Sequence, residues 1–185
     1  LHPPYGPDTY AKVGSAIEQD QLKRPTMAET ASLVHAAFNA DDKYSAEIKD
    51  IMMKAWLWPF TGTLYVPKGA YIQDDPEIRD GMPFMEESGL ERRLGSRQVG
   101  QVVYSDDGTV RFVPFSYNVG EMSPSELSKN AYVIALAGGE EGAEKSAQVA
   151  GKFIDKPRLW SYEHVDENKI RVSALGSWGL NRRLE

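Results

Sequence analysis

The sequence Tyr132-Val-Ile-Ala-Leu-Ala-Gly-Gly-Glu-Glu-Gly-Ala-Glu-Lys-Ser-Ala-Gln-Val-Ala-Gly-Lys-Phe153 joins a short apolar run, two glycines and an amphipathic stretch. A short apolar run that ends in glycines is consistent with a buried strand, and the amphipathic stretch is typical of a helix. We therefore predict a strand that ends at Gly138-Gly139 and leads into a helix. Such a unit adds one crossover connection to a sheet.

Three helices are predicted in the first third of the chain. The first covers residues 9–19. The second begins with Thr26 and Glu29, which have the spacing of a capping box, and it ends near Asn39. Apolar residues then recur at intervals of three and four over residues 44–55, which predicts the third helix.

The apolar period changes to two after this helical region. Residues 60–66 alternate between apolar and polar positions and predict a strand, with a short return strand over 70–72. Because Phe60, Leu64 and Val66 take one face of this strand, we expect Tyr65 to point outward.

Two hairpins are predicted nearer the C-terminus. Residues 99–115 contain two alternating runs around Asp107-Gly108, a pair that suits the positive φ angles of a type I′ turn. A final hairpin is predicted to pair residues 158–162 with 169–174.

Together these elements predict an α+β fold, in which N-terminal helices pack on a mostly antiparallel sheet with one strand-Gly-Gly-helix crossover. A length of 185 residues predicts a single domain over 1–185. The alternative is a helical subdomain over 8–56 that packs against a sheet region over 57–183.

Composition restricts the classes of function. The net charge of −6 and the pI of about 5.2 argue against nucleic-acid binding, which relies on clustered Lys and Arg. No apolar run reaches the roughly 18 residues of a membrane span. The absence of cysteine excludes disulfides and thiolate sites and favours the cytoplasm, although export after signal-peptide removal stays open because the chain starts at Leu1.

Glu140 and Glu141 are candidates for catalysis. Two carboxylates in the first turn of a helix that follows a strand could bind a metal, with Glu140 as a ligand, or act as a general base. The alternative is that both carboxylates only stabilise the positive end of the helix dipole. The segment lacks the Lys-Ser/Thr of a P-loop and the spacing of a dinucleotide fingerprint.

Asp74 and Asp75 are further candidates for a metal site. Hard cations prefer several converging oxygen ligands, which an acidic loop can supply. The alternative is ordinary loop chemistry, since Pro76 follows and the spacing is not that of a calcium loop.

His164 is a candidate general base that the adjacent Glu163 could orient. The alternative is a solvated loop histidine without a catalytic role.

Tyr65, Tyr71 and Trp178 are the aromatic residues that we expect to be exposed. On the solvent face of a sheet they would form a stacking surface for a small ligand. The alternative is that these rings belong to the core.

Arg92 and Arg93 form a basic pair in an acidic chain and are candidates for binding an anion. The alternative is ion pairing at the surface with neighbouring glutamates, which contributes little to stability.

These residues support three hypotheses of function. The preferred one is a non-catalytic module that binds a small ligand or a protein. The second is a metal-assisted hydrolase that uses Glu140 and Glu141 with an arginine-held anionic substrate, and the third is a subunit of a larger assembly. No cofactor, ligand or oligomeric state is indicated by the sequence.

Overall fold

The computed structural model describes residues 5–176 and the short strand at residues 183–184. The helices are α1 Tyr10–Gln19, α2 Met27–Phe38, α3 Lys43–Lys54, α4 Glu87–Arg93, α5 Pro124–Lys129, α6 Ala131–Leu136 and α7 Glu140–Gly151. The strands are β1 Trp56–Leu57, β2 Thr61–Val66, β3 Gly69–Asp74, β4 Ile78–Arg79, β5 Met82–Pro83, β6 Leu94–Val99, β7 Val102–Ser105, β8 Val110–Pro114, β9 Gly120–Glu121, β10 Arg158–Leu159, β11 Lys169–Val172, β12 Leu175–Gly176 and β13 Arg183–Leu184. The predicted α+β class is confirmed.

The larger sheet has the strand order β11-β2-β3-β8-β7-β6, and every neighbouring pair in it is antiparallel. A second sheet has the order β1-β12-β13-β10-β9, in which β10 and β13 are parallel. The strands β4 and β5 form a separate short pair.

Both faces of the larger sheet are covered. On one face, Tyr65 of β2 belongs to a core cluster with Tyr132 and Val133 of α6. On the other face, Leu64 of β2 and Tyr71 of β3 pack in a second cluster with residues that include Leu90 of α4. Because both faces are covered, all side chains of β2 are buried, and its alternating pattern does not identify an exposed face.

The expectation that Tyr65 and Tyr71 face solvent is therefore wrong. Tyr65 is 3% exposed and Tyr71 is 1% exposed. Alternation along a strand separates its two faces, but it does not show whether a second layer covers the outer one.

The predicted N-terminal helices are confirmed, and local side chains explain their starts. The Thr26 hydroxyl accepts from the Glu29 N–H, and the Glu29 carboxylate accepts from the Thr26 N–H, as the capping box requires. Asp42 caps α3 by accepting from the N–H groups of Tyr44 and Ser45. The hairpin of β7 and β8 is also confirmed, but its turn is not of type I′, because Gly108 has a positive φ, of 71°, and Asp107 does not.

The segment that starts at Tyr132 corrects one prediction. The apolar run forms the helix α6 rather than a strand, so the unit is helix-Gly-Gly-helix and contains no crossover strand. Asn130 caps this helix by accepting from the N–H groups of Tyr132 and Val133. Gly138 and Gly139, with φ angles of 79° and 146°, turn the chain into α7.

The predicted final hairpin is also wrong. The strand β10 pairs with β9 and β13, whereas β11 pairs with β2 at the edge of the larger sheet. Residues 160–162 lie between β10 and β11 outside any strand. Strand periodicity predicted strands in these two segments. It did not predict which strands they pair with, because paired strands can be distant in sequence.

The division of the chain into one domain or two subdomains stays a prediction. Among residues 5–176, no helix has the length and apolar character required to cross a bilayer.

Candidate functional site

Two of the cavities that open on the described part of the molecule are lined by polar and titratable side chains. The larger, which we call the acidic cavity, has a volume of about 680 Å³ and lies between the β6–β7 turn, the segment 116–122 and helices α5 to α7. It is lined by four glutamates, namely Glu121, Glu126, Glu140 and Glu144. Lys129 also lines it, so carboxylates dominate its charge.

The glutamates of the acidic cavity differ in their partners. Glu126 is held in a capping box by the hydroxyl and N–H of Ser123. Glu121 lies 3.9 Å from a guanidinium nitrogen of Arg158. Glu140 is exposed, and neither Arg92 nor Arg93 lines this cavity.

The smaller cavity has a volume of about 280 Å³ and lies beside β2, β11 and the segment 160–162. We call it the tyrosine cavity. Its lining consists of Thr63, Tyr65, Tyr132, Trp160, Ser161, Tyr162, Arg171, Val172 and Ser173.

A network of side-chain hydroxyls forms the inner wall of the tyrosine cavity and continues to Tyr117, which lines the acidic cavity. The Tyr65 hydroxyl lies 2.7 Å from the Tyr132 hydroxyl and 3.0 Å from the Ser161 hydroxyl. Thr63 lies 3.3 Å from Tyr132, and Tyr117 lies 3.4 Å from Ser161. We call these five residues the hydroxyl cluster.

Four separate parts of the chain supply the hydroxyl cluster, and Tyr117 comes from the segment 116–122. Thr63 and Tyr65 are two residues apart on β2 and therefore project from the same face of the sheet. Tyr132 comes from the first turn of α6, and its ring stacks on that of Tyr65 at a centroid distance of 6.1 Å. Ser161 comes from the segment after β10.

Burial makes the phenols of this cluster harder to ionise. It raises the pKa of Tyr65 well above its usual value, and the neighbouring Tyr132 acts in the same direction. Burial likewise raises the pKa values of Tyr132 and Tyr117. A protonated phenol both donates and accepts hydrogen bonds, as the hydroxyls of a polar ligand do.

Aromatic and cationic side chains form the outer rim of the tyrosine cavity. The half-buried Tyr162 ring meets Tyr65 edge to face, at a centroid distance of 4.9 Å. An Nη atom of Arg171 donates to the Tyr162 hydroxyl at 2.6 Å. Arg158 is not part of the lining but stacks on the Trp160 ring, with its guanidinium carbon 4.4 Å from the centroid.

The tyrosine cavity offers hydrogen bonding and ring contacts rather than a nucleophile activated by a base. Among the described residues, its lining contains no histidine or carboxylate. Of the residues predicted for ligand binding, Tyr65 lines the cavity, whereas Tyr71 is on the opposite face of the sheet and packs against Phe112.

The predicted metal and catalytic carboxylates already have partners or lie apart. Asp74 binds Arg111, and Asp75 binds Arg24. Glu141 pairs with Lys145. Among residues 5–176, no three His, Asp or Glu side chains are grouped so that they could hold a metal ion. The metal roles of Asp74, Asp75 and Glu140 remain predictions without support from this geometry.

The remaining candidates lie elsewhere on the surface. His164 contacts Asp166 at 2.9 Å, and both side chains are exposed. Arg93 donates to the Thr109 hydroxyl and lies 3.4 Å from Asp107, while Arg92 is exposed on α4. Trp178 lies outside the described residues.

Sequence reasoning missed Tyr132, Ser161 and Arg171. The predicted strand at Tyr132 is a helix, and the predicted strand at Ser161 ends at Leu159, so the approach of both residues to Tyr65 could not be predicted. Asn130 is a favourable N-cap residue directly before the apolar run, and this signal indicates a helix start.

Comparison with known proteins identifies the fold. No model of a protein family matches the chain, and no curated protein matches it. One solved structure carries the description "Accommodation of massive sequence variation in Nanoarchaeota by the C-type lectin fold". It is similar over 92% of this chain and 85% of its own, with 17% identity and a TM-score of 0.55. The chain is therefore similar to a C-type lectin fold, and the similarity concerns the fold alone.

Proposed function

We propose that this protein is a non-catalytic binding module that takes a small hydroxylated ligand, of the size of a monosaccharide, into the tyrosine cavity. The observation that supports this most strongly is the hydroxyl cluster beside the Tyr162 ring. Small-molecule sites typically combine apolar rings with a few converging polar groups. The similarity to a C-type lectin fold is compatible with a binding module.

The size of the cavity supports a small ligand. Sites for drug-sized molecules usually measure roughly 300–1,000 Å³. The tyrosine cavity, at about 280 Å³, lies just below that range. One sugar ring is a better match for this volume than a nucleotide or a peptide.

The chemistry of the wall also favours a hydroxylated ligand. Hydroxyls of the cluster donate or accept as needed, so they suit ligand groups that do the same. The Tyr162 ring offers an apolar surface for the C–H face of a sugar. The hydrolase hypothesis lacks comparable support, because the carboxylates and arginines that it requires do not line one cavity.

A thermal-shift screen with neutral monosaccharides, nucleosides and divalent cations with and without EDTA tests this proposal. We expect a monosaccharide to raise the unfolding midpoint, since a ligand at 100 times its Kd adds about 2.7 kcal/mol. Ser161→Leu should remove the effect by filling the tyrosine cavity. Ser116→Leu is the matched control, because Ser116 lines the acidic cavity.

Two results would contradict the proposal. One is the absence of stabilisation by any saccharide, and the other is unchanged binding by Ser161→Leu. Stabilisation by a metal alone that EDTA reverses would instead support the hydrolase hypothesis.

A further inference from the structure

Arg171 extends the tyrosine cavity with a cation that has no carboxylate partner within 4.0 Å among the described residues. One Nη donates to the Tyr162 hydroxyl at 2.6 Å, and the other donates to the Ile170 carbonyl at 2.8 Å. A guanidinium has five N–H donors in total. These two bonds fix its position and leave other donors for a ligand.

The position of Arg171 makes its remaining donors accessible. It lies on β11, the edge strand of the larger sheet, and its side chain is exposed while it lines the cavity. Its guanidinium carbon lies 5.5 Å from the centre of the Tyr162 ring. The ring and the cation therefore form one wall of the entrance.

Three cations, Arg158, Lys169 and Arg171, lie against the rings of Trp160 and Tyr162 although the whole chain is acidic. Lys169 lies 5.7 Å from the Tyr162 ring centre, and Arg158 stacks on Trp160. Carboxylates partly offset these two cations: Lys169 lies 3.9 Å from Glu167, and Arg158 lies 3.9 Å from Glu121. Arg171 is thus the rim cation best placed to receive an anion.

The geometry points to an anionic saccharide as the ligand, an inference that rests on the proposed function. We propose that the sugar hydroxyls bind the hydroxyl cluster, that the sugar ring packs on Tyr162, and that Arg171 binds a carboxylate or phosphate on the sugar. Guanidinium groups bind both anions through paired N–H donors.

Isothermal titration calorimetry with matched sugars tests this inference. The probes are glucose, glucuronate and glucose 6-phosphate, then galactose and galacturonate, with inorganic phosphate alone as the simple anion. We expect at least one charged sugar to bind the wild-type protein roughly tenfold or more tightly than its neutral counterpart, because a charged hydrogen bond is added. Comparing the carboxylate with the phosphate identifies the preferred anion.

Variants of Arg171 assign the preference to this side chain. Arg171→Gln should lose the preference for charged over neutral sugars, and Arg171→Lys should keep part of it. The matched control is Arg79→Gln, because Arg79 is also an exposed arginine that stacks on a ring, that of Phe84, away from the tyrosine cavity. It should bind like the wild-type protein.

The outcomes separate this inference from the proposed function. If neutral and charged sugars bind equally well, the inference is wrong and the proposed function stands. If Arg171→Gln keeps the preference, the role of Arg171 is wrong. If inorganic phosphate binds as tightly as the charged sugars, the site is a simple anion site, and if no sugar binds, both proposals fail.

Discussion

Asp74 and Arg111 form an ion pair inside the larger sheet. The Asp74 carboxylate accepts from both Nη atoms of Arg111, at 2.6 and 2.8 Å, and from the Thr61 hydroxyl at 2.8 Å. The Arg111 side chain is 2% exposed and that of Asp74 is 14% exposed. Because its oxygens already have these partners, Asp74 is better explained as a structural residue than as a metal ligand.

Replacing Asp74 tests this explanation at the level of one residue. Asp74→Asn should lower the free energy of unfolding by about 3–5 kcal/mol, because it leaves the buried Arg111 charge without its counterion. Urea unfolding, followed by circular dichroism, measures the change.

The adjacent Asp75 gives a matched control. Its side chain is 42% exposed and pairs with Arg24, which also contacts Glu18. Asp75 has a φ of 49°, a conformation that Asn tolerates, so Asp75→Asn should cost only about 0–1 kcal/mol. Equal losses in the two variants would contradict a special role for the buried pair.

The sequence could not have revealed the partner of Asp74. Arg111 lies 37 positions further along the chain and reaches Asp74 only because β3 and β8 pair, with Ile72 opposite Arg111. Residue types indicated that Asp74 could bind a cation. They did not indicate that the cation is a guanidinium of the same chain.

At the level of elements, the assignment of α6 shows where periodicity is ambiguous. A short apolar run that is buried on all sides looks alike as a strand and as a helix. Tyr132, Val133, Ala135 and Leu136 are all buried, so no exposed face gave the run a helical period. The longer amphipathic helices had a clear helical period, and the hairpin had alternating strands around an Asp-Gly pair. These elements were predicted correctly.

The capping box of α2 supports a quantitative prediction for one element. Thr26→Ala should destabilise the protein by about 0.5–2 kcal/mol, because it removes the acceptor for the Glu29 N–H. Thr9→Ala is the matched control, since Thr9 precedes α1 but makes no capping hydrogen bond with its side chain. Thermal unfolding should separate the two variants, and an equal midpoint for both would show that the capping bond contributes nothing.

At the level of the whole molecule, the tyrosine cavity depends on contacts between distant segments. Tyr65, Tyr132 and Ser161 lie almost 100 positions apart from first to last, and they meet because α6 covers the larger sheet and β11 pairs with β2. Periodicity predicted the α+β class and several elements. It did not predict which helices pack on each face of the larger sheet, because the pattern of a strand does not identify the element that covers it.

The similarity to a C-type lectin fold, with a TM-score of 0.55, extends over 92% of the chain. It agrees with the α+β class, while the site follows from particular side chains of this chain. The function therefore has to be tested at the tyrosine cavity itself.

Tyrosine-selective ¹³C NMR tests the central proposal most directly. Ring signals, assigned through single Tyr→Phe variants, would be followed while glucose and glucuronate are added in parallel. We predict shifts for Tyr65, Tyr132 and Tyr162 and none for Tyr44 or Tyr71, which lie away from the cavity. Unchanged cavity signals, or shifts confined to Tyr44 and Tyr71, would contradict ligand binding in the tyrosine cavity.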